Sequence, residues 1–218
     1  MSYYPVFLDL AGRPTVVVGG TALAEEKVRG LLVAEARVTV IAPELTEGLA
    51  ELAGLGELRH LARGYQAGDL AGAVVVIVAA GEPAVRDAIH REATAKNILM
   101  NTVDDLPRCN WIAPSIVRRG DLAIAISTAG KAPALAVRLR QRLEREVGAE
   151  HGRFLEIAAA VRAPLAARHP DFARRRELWY RLVDSDVLEL LRQGEDEAAR
   201  RRFTEILGVP PVPPGDGR

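Results

Sequence analysis

The residues best suited to chemistry begin with a glycine turn near the N-terminus. A β-branched run, Thr15 to Val18, ends at Gly19-Gly20, and a helical pattern follows. A strand that enters a glycine turn and then a helix can hold a dinucleotide pyrophosphate, because glycine admits close approach and the helix N-terminus offers N–H donors. Against the pattern G-x-G-x-x-G/A, Gly19 and Ala24 fit, but Thr21 replaces the middle glycine. Because this glycine turn joins the first predicted strand to the first predicted helix, it is more consistent with a dinucleotide site than with a tight turn that binds nothing.

The predicted cofactor contacts combine this turn with the end of the second strand. They are Gly19, Gly20, Thr21, Ala22, Leu23, Pro43 and Glu44. Glu44 is the nearest carboxylate that could accept hydrogen bonds from ribose hydroxyls; alternatively, it is a helix N-terminal residue that favours the dipole. An arginine at this point would suggest NADP and none is present, so the sequence favours NAD.

Metal and thiol chemistry find little support in the sequence. The four histidines, His60, His90, His151 and His169, have no ligand spacing, and we predict no bound metal. The single cysteine, Cys109, excludes an internal disulfide, and with no histidine near it in sequence we expect a buried structural thiol.

Composition excludes several classes of protein. The 218 residues carry a formal net charge of +0, which gives no basic face for nucleic acid. No apolar run reaches the length of a membrane-spanning helix, and the N-terminus lacks the pattern of a signal peptide. We therefore expect a cytoplasmic protein without membrane or nucleic-acid partners.

Alternating strands and helices position these residues. Predicted strands cover 15–18, 37–41, 57–61, 73–79 and 98–101, and predicted helices cover 22–34, 45–52 and 82–95, after a short strand or lead-in at 4–10. Short connections between alternating elements predict an α/β fold with a Rossmann-like, doubly wound parallel sheet.

The pattern changes after Pro114. Residues 115–118 and 121–127 flank Arg119-Gly120 and predict a β-hairpin, and a helix follows over 132–147. Helices are predicted at 152–163, 170–183 and 195–207, with Pro164 breaking the pattern between the first two. The predicted domains are a Rossmann domain (1–113), a hairpin and helix segment (114–148), a small helical C-terminal domain (149–208) and a disordered tail (209–218).

Six segments together resemble the precorrin-2 dehydrogenase/sirohydrochlorin ferrochelatase family, which includes the N-terminal half of siroheme synthases. They are Tyr4 to Leu10, Val17 to Gly20 with Ala24 and Lys27, Val38 to Pro43, Asn101 to Asp105, Ala113 to Ser115, and Ser127 to Ala136. The sequence departs from the family at Thr21, where members usually carry glycine, and at Ala132, where they often carry serine.

The resemblance implies an NAD-dependent oxidation of precorrin-2 to sirohydrochlorin. The family's catalytic aspartate maps onto Asp104, with Asp105 a weaker candidate; without the family, a solvated Asp-Asp turn would be the simpler interpretation. Carboxylates of the tetrapyrrole need cationic or N–H partners. The candidates for substrate binding are Ser127, Thr128, Gly130, Lys131 and Arg118, with Arg119 and Arg138 also possible.

The resemblance also implies partners and leaves alternatives open. It predicts a homodimer whose contact lies in 114–148. Because the chain printed here ends at Arg218, we expect a separate uroporphyrinogen methyltransferase to supply precorrin-2. The alternatives are a bifunctional enzyme that also inserts ferrous iron (a lyase reaction), a nucleotide-sensing Rossmann domain without catalysis, and a tetrapyrrole carrier.

Overall fold

The chain forms two compact units, divided between Ala113 and Pro114. The computed structural model describes residues 3–211. No helix among those residues is both long and apolar enough to cross a membrane.

A parallel five-stranded sheet organises the N-terminal unit. Its strands are β1 (Pro14–Val18), β2 (Arg37–Ile41), β3 (Leu58–Leu61), β4 (Val75–Val78) and β5 (Leu99–Thr102). Its helices are α1 (Ala22–Val33), α2 (Glu47–Gly54) and α3 (Pro83–Ala95). The strand order is β3-β2-β1-β4-β5, so the chain crosses from one edge of the sheet to the other side of β1 between β3 and β4.

Alternating residues of the strands build two cores, one on each face of the sheet. Val17 and Val40 pack with Val28 of α1 on one face. Val16 and Val76 pack with Ile89 of α3 on the other. Helices therefore cover both faces, and the predicted doubly wound fold is confirmed.

The crossover from β3 to β4 has no helix and is held instead by a largely buried carboxylate, that of Glu92. The Glu92 carboxylate on α3 accepts hydrogen bonds from the Tyr65 hydroxyl, from the Gly68 N–H at 2.8 Å and from the Lys96 ammonium at 2.7 Å. Burial works to raise the pKa of Glu92, but the hydrogen bonds from Lys96, Tyr65 and Gly68 outweigh it and the pKa is lowered. The side chain is 11% exposed, so this carboxylate anchors the crossover to α3.

In residues 114–211, the C-terminal unit contains a hairpin and five helices. The antiparallel hairpin pairs β6 (Ser115–Arg119) with β7 (Leu122–Ile126), as predicted. The helices are α4 (Pro133–Glu146), α5 (Glu150–Arg168), α6 (Phe172–Val183), α7 (Val187–Arg192) and α8 (Asp196–Leu207). Phe203 of α8 is fully buried among side chains of α5, α6 and α7, which gives this unit its own core.

Three details differ from the sequence prediction, and one alternative that the sequence left open is decided. The α5 helix runs through Pro164, because Ile157, Val161 and Leu165 repeat every fourth residue and bury one continuous stripe across the proline. Of the two alternatives for residues 4–10, the lead-in is the one observed, since they form no strand. Helix α7 lacked a predicted counterpart because six residues are too few to show a helical period. The predicted tail begins at Val209, which is buried, and its residues 212–218 lie outside the described part of the chain.

Replacing Glu92 should destabilise the fold in a pH-dependent way. We expect Glu92→Gln to lower the free energy of unfolding by about 1–3 kcal/mol at neutral pH, since it weakens hydrogen bonds to a buried carboxylate. A lowered carboxyl pKa gives stability that is complete above the ordinary value of 4.5 and is lost as pH falls through the folded value.

Urea unfolding at neutral and acid pH measures this effect. The difference between wild type and Glu92→Gln should shrink below about pH 4. Glu51→Gln, at an exposed position of α2, is the control and should leave the unfolding midpoint unchanged. Equal midpoints for wild type and Glu92→Gln at neutral pH would contradict the anchoring role.

Candidate functional site

The turn after β1 is packed so closely that its two glycines accept no side chain. Gly19 has a φ of +123°, and a Cβ there would lie 3.0 Å from the Cβ and backbone nitrogen of Ala80. A Cβ on Gly20 would lie 1.9 Å from the carbonyl oxygen of Glu44. The Gly20 carbonyl also accepts a hydrogen bond from the Thr46 N–H at 3.0 Å. The turns that follow β1, β2 and β4 are therefore in direct contact.

The start of α1 suits an anionic ligand. Thr21 occupies the N-cap position, yet its hydroxyl makes no capping hydrogen bond. The N–H groups of the first turn, at Ala22 and Leu23, have no capping side chain and lie at the positive end of the helix dipole. Thr21 and Ala22 are exposed and Leu23 is half-buried. We call the close-packed turn at Gly19 and Gly20 the Gly20 cradle. Together with this cradle, the features of the helix start fit the pyrophosphate of a dinucleotide.

The turn after β2 completes the predicted cofactor residues. Pro43 and Glu44 are both exposed. The backbone carbonyl of Glu44 occupies the space that a Cβ on Gly20 would need. A helix begins only at Glu47, so Glu44 lies in the turn and not in the first turn of α2.

Two features of this edge were missed from the sequence. The first is Glu25 of α1, whose carboxylate accepts a hydrogen bond from the Thr46 hydroxyl at 2.5 Å and from Arg29 at 2.7 Å. The Thr46 and then the Arg29 hydrogen bonds lower the pKa of Glu25. Gly48 leaves room for this carboxylate, because a Cβ there would lie 2.3 Å from it. No local sequence signal relates Glu25 to a helix cap 21 residues away.

The second missed feature is the turn after β4. β1 and β4 are neighbours, and the helices that follow them cover opposite faces of the sheet. A crevice opens at the carboxyl ends of two such strands, and ligands of open α/β sheets bind there. Ala80 and Gly81 follow β4 at this point, and Gly81 has a φ of +141°. In the sequence, the position of Gly81 just after a strongly buried strand could have indicated that this turn belongs to the ligand crevice.

Asp104 lies at the same edge of the sheet. It comes two residues after β5 ends at Thr102, and its side chain is exposed. Its φ of +59° places a non-glycine residue in the left-handed region. Asp105 is different: its side chain is 11% exposed and forms an ion pair with Arg108. Of the two carboxylates, Asp104 is the one available to a ligand.

Cys109 behaves as the expected structural thiol. Its sulfur accepts a hydrogen bond from the Thr102 N–H at 3.2 Å and lies 3.3 Å from the Asp105 carbonyl oxygen, to which the thiol can donate. Burial raises the pKa of the Cys109 thiol. A protonated, half-buried thiol with these contacts supports the loop and is a poor nucleophile.

The predicted substrate residues belong to the C-terminal unit. Ser127 and Thr128 follow β7, where their side-chain oxygens accept hydrogen bonds from the N–H groups of Ala129 at 3.1 Å and Ala132 at 3.3 Å. Gly130, with a φ of +75°, and exposed Lys131 continue this loop toward α4. Arg118 is exposed on β6, opposite Ala123 of β7.

Metal-ligating side chains do not cluster in residues 3–211. No group of three or more His, Cys, Asp or Glu side chains there is arranged to hold a metal ion. His60 contacts the Ala42 carbonyl oxygen at 2.9 Å, and His151 lies 3.3 Å from Glu150. Both imidazoles therefore have local structural partners.

The sheet order, the glycine cradle and the free helix N-terminus define a Rossmann-type dinucleotide-binding protein. A family model described as putative NAD(P)-binding matches residues 6–115. Models described as sirohaem biosynthesis protein central and sirohaem synthase dimerisation region match residues 119–146 and 150–207. The chain belongs to the precorrin-2 dehydrogenase and siroheme synthase family, and the resemblance seen in the sequence is confirmed.

Individual relatives agree with this assignment. A siroheme synthase of Methylobacillus flagellatus is 40% identical over 95% of the chain, and one of Thioalkalivibrio sulfidiphilus is 37% identical over 95%. The chain spans 44% and 42% of those two proteins. A solved structure titled SirC, precorrin-2 dehydrogenase, is 26% identical with a TM-score of 0.76, and the match covers 95% of this chain and 100% of that one.

Adding a methyl group at Gly20 should close the cofactor site. We expect Gly20→Ala to weaken dinucleotide binding by about tenfold or more and to lower stability, because the new Cβ would displace the Glu44 carbonyl. Isothermal titration calorimetry with NAD⁺ and thermal unfolding measure the two effects.

Gly30→Ala is the matched control. Gly30 lies inside α1, and a Cβ there meets nothing within 4 Å. We expect this variant to gain about 0.5–1 kcal/mol of stability from helix propensity and to bind the dinucleotide normally. Wild-type affinity in Gly20→Ala would exclude this turn as the cofactor site.

Proposed function

We propose that the protein oxidises precorrin-2 to sirohydrochlorin with NAD⁺. The observation that carries the proposal is the exposed carboxylate of Asp104 at the sheet edge that also carries the Gly20 cradle. Carboxyl ends of neighbouring parallel strands meet at one edge, so a cofactor at the first turn and a proton acceptor at the last can serve one substrate. The similarity to a solved precorrin-2 dehydrogenase, SirC, supports this reaction.

The reaction removes a hydride and a proton from the tetrapyrrole. Bound NAD⁺ supplies the hydride acceptor. The Gly19–Leu23 turn would hold the pyrophosphate through backbone N–H groups. Asp104 would accept the proton or stabilise positive charge that develops on the macrocycle. Asp105 is tied to Arg108 and does not compete for this role.

We propose NAD rather than NADP as the cofactor. Exposed Glu44, in the turn after β2, is placed to accept hydrogen bonds from the ribose hydroxyls and would repel a 2′-phosphate. Residues 42–46 contain no arginine that could hold that phosphate. The family model, described only as NAD(P)-binding, is compatible with either cofactor.

We further propose that residues of the C-terminal unit bind the carboxylates of precorrin-2. Arg118 and Lys131 are exposed cations, and Gly130 lies in the loop that leads into α4. The oxygens of the Ser127 and Thr128 hydroxyls accept hydrogen bonds from backbone N–H groups, so both hydroxyls can still donate their protons to a substrate.

We also propose that the protein is cytoplasmic. The free thiol of Cys109 suits a reducing compartment such as the cytoplasm.

Replacing Asp104 should separate chemistry from binding. We expect Asp104→Asn to lower kcat by about 100-fold or more, because a carboxamide cannot accept the proton, while the affinity for NAD⁺ stays unchanged. Anaerobic absorbance with precorrin-2, recorded with NAD⁺, with NADP⁺ and without nucleotide, measures the activity. NAD⁺ should support the faster turnover.

The controls distinguish the remaining hypotheses. Asp184→Asn, at the exposed end of α6, should keep wild-type activity. Adding Fe²⁺ or Co²⁺ to the sirohydrochlorin product tests for metal insertion. Nucleotide binding without any turnover by wild type would favour the sensing domain and reject the dehydrogenase.

The family's dimerisation region predicts a homodimer, and we propose that its contact includes the 114–148 segment. Exposed apolar side chains of that segment are Ile116, Leu135, Val137 and Leu139. Leu135 and Leu139 lie four residues apart on α4 and share one face. The dimerisation model itself matches 150–207, where α6 exposes a second apolar set: Phe172, Tyr180 and Val183.

Two charge substitutions test which surface is used. We expect Leu139→Asp to shift the dimer toward monomer, because a buried carboxylate in the interface would lack a partner. Tyr180→Asp makes the same change on α6 and should leave the dimer intact. Sedimentation equilibrium measures both, and dissociation by Tyr180→Asp alone would move the contact to the α6 surface.

A further inference from the structure

The loop after β5 folds back along the free edge of the sheet. Asn110 lies beside β5: its carboxamide oxygen accepts from the Met100 N–H at 2.7 Å, and its carboxamide nitrogen donates to the Ile98 carbonyl at 3.0 Å. Its backbone N–H donates to the Met100 carbonyl at 3.0 Å. Asn110 thus satisfies edge-strand groups and fixes the far end of the loop.

Asp104 sits in this loop in a conformation that needs support. A left-handed φ costs a non-glycine residue about 1 kcal/mol or more, so surrounding contacts must hold it. The Val103 N–H donates to the Val78 carbonyl at 3.0 Å, and the Asp105 N–H donates to the Thr102 carbonyl at 3.2 Å. These bonds fix the backbone on both sides of Asp104 without touching its side chain.

Arg108 connects this turn to helix α3. Its Nε lies 2.9 Å from the Asp87 carboxylate on α3, and another of its nitrogens lies 2.5 Å from the carboxylate of Asp105, next to Asp104. Arg86 adds a second cation 4.0 Å from Asp105. A planar guanidinium can bind two carboxylates at once, whereas an ammonium is a single point charge.

We infer that Arg108 is a positioning residue: by bridging Asp87 and Asp105, it fixes the turn that presents the Asp104 carboxylate at the sheet edge. The inference rests on the proposed function, in which Asp104 acts on the substrate. Arg108 itself touches neither substrate nor cofactor in this role. Catalytic geometry is sensitive to displacements of about 1 Å, so a loosened turn should slow the reaction rather than weaken NAD⁺ binding.

The test compares Arg108→Met in two backgrounds. In the wild-type chain, we expect kcat to fall about tenfold or more with KM for NAD⁺ changed by less than about twofold. In the Asp104→Asn chain, the same substitution should produce no further loss, because there is no carboxylate left to position. Asp87→Asn removes only the α3 partner of Arg108, and it should also lower kcat, as Arg108→Met does.

Three further measurements separate positioning from general stability. Arg108→Lys should recover part of the activity, since it keeps the charge but binds one carboxylate at a time. Amide hydrogen exchange should accelerate at Asp105 in Arg108→Met, with no nucleotide or substrate present. Arg63→Met, which breaks a comparable Arg–Asp pair in the crossover, should lower stability without lowering kcat.

The outcomes are distinct. An inactive wild type would reject the proposed reaction. An active wild type whose kcat falls in Asp104→Asn, but not in Arg108→Met, would reject the positioning role alone. Equal fold-losses from Arg108→Met in both backgrounds would also reject it, because the effect would then act independently of Asp104.

Discussion

The site depends on one steric constraint, the contact between the turn after β1 and the turn after β2. The backbone of Gly20 approaches the Glu44 carbonyl so closely that a single methyl group would overlap it. This contact brings together the start of α1 and the end of β2, and Thr46 reinforces it through hydrogen bonds to Gly20 and Glu25. The groups that would surround a dinucleotide are therefore held by the backbone itself.

The strand order of the sheet places the turns of the candidate site at one edge. β1 lies at the centre, with β2 on one side and β4 on the other, so the turns after all three strands reach the same edge. β5 lies beyond β4 and brings Asp104 to that edge as well. The candidate site residues of this unit lie in turns, whereas the strands beneath are buried on both faces and supply rigidity.

Two charged side-chain networks of the N-terminal unit support segments that lack regular structure. Glu92 holds a crossover that has no helix, and Arg108 holds a turn that contains a left-handed residue. Both segments contact charged side chains of α3. Glu92 accepts a hydrogen bond from the crossover, and Asp87 accepts one from Arg108 in the turn. The helix thus stabilises two loops at once, one of which carries the proposed catalytic carboxylate.

Local sequence was sufficient for the fold class and for locating the turns that carry the candidate site residues. The buried run at Val75–Val78, the glycine turn at Gly19-Gly20 and the hairpin around Arg119-Gly120 follow from short patterns whose physics is local: burial, backbone freedom and turn geometry. The role proposed for Asp104 came from the family resemblance, because no local pattern provides it.

Only the tertiary structure decided how those residues are supported. Glu25 and Thr46 are 21 residues apart, as are Asp87 and Arg108, and their pairing depends on the packing of helices against loops. Pro164 was expected to end a helix, because a local rule cannot include the buried stripe that continues across it. Sequence determines which elements form because their forces act between neighbours, whereas the contacts that complete the site exist only after distant segments have packed together.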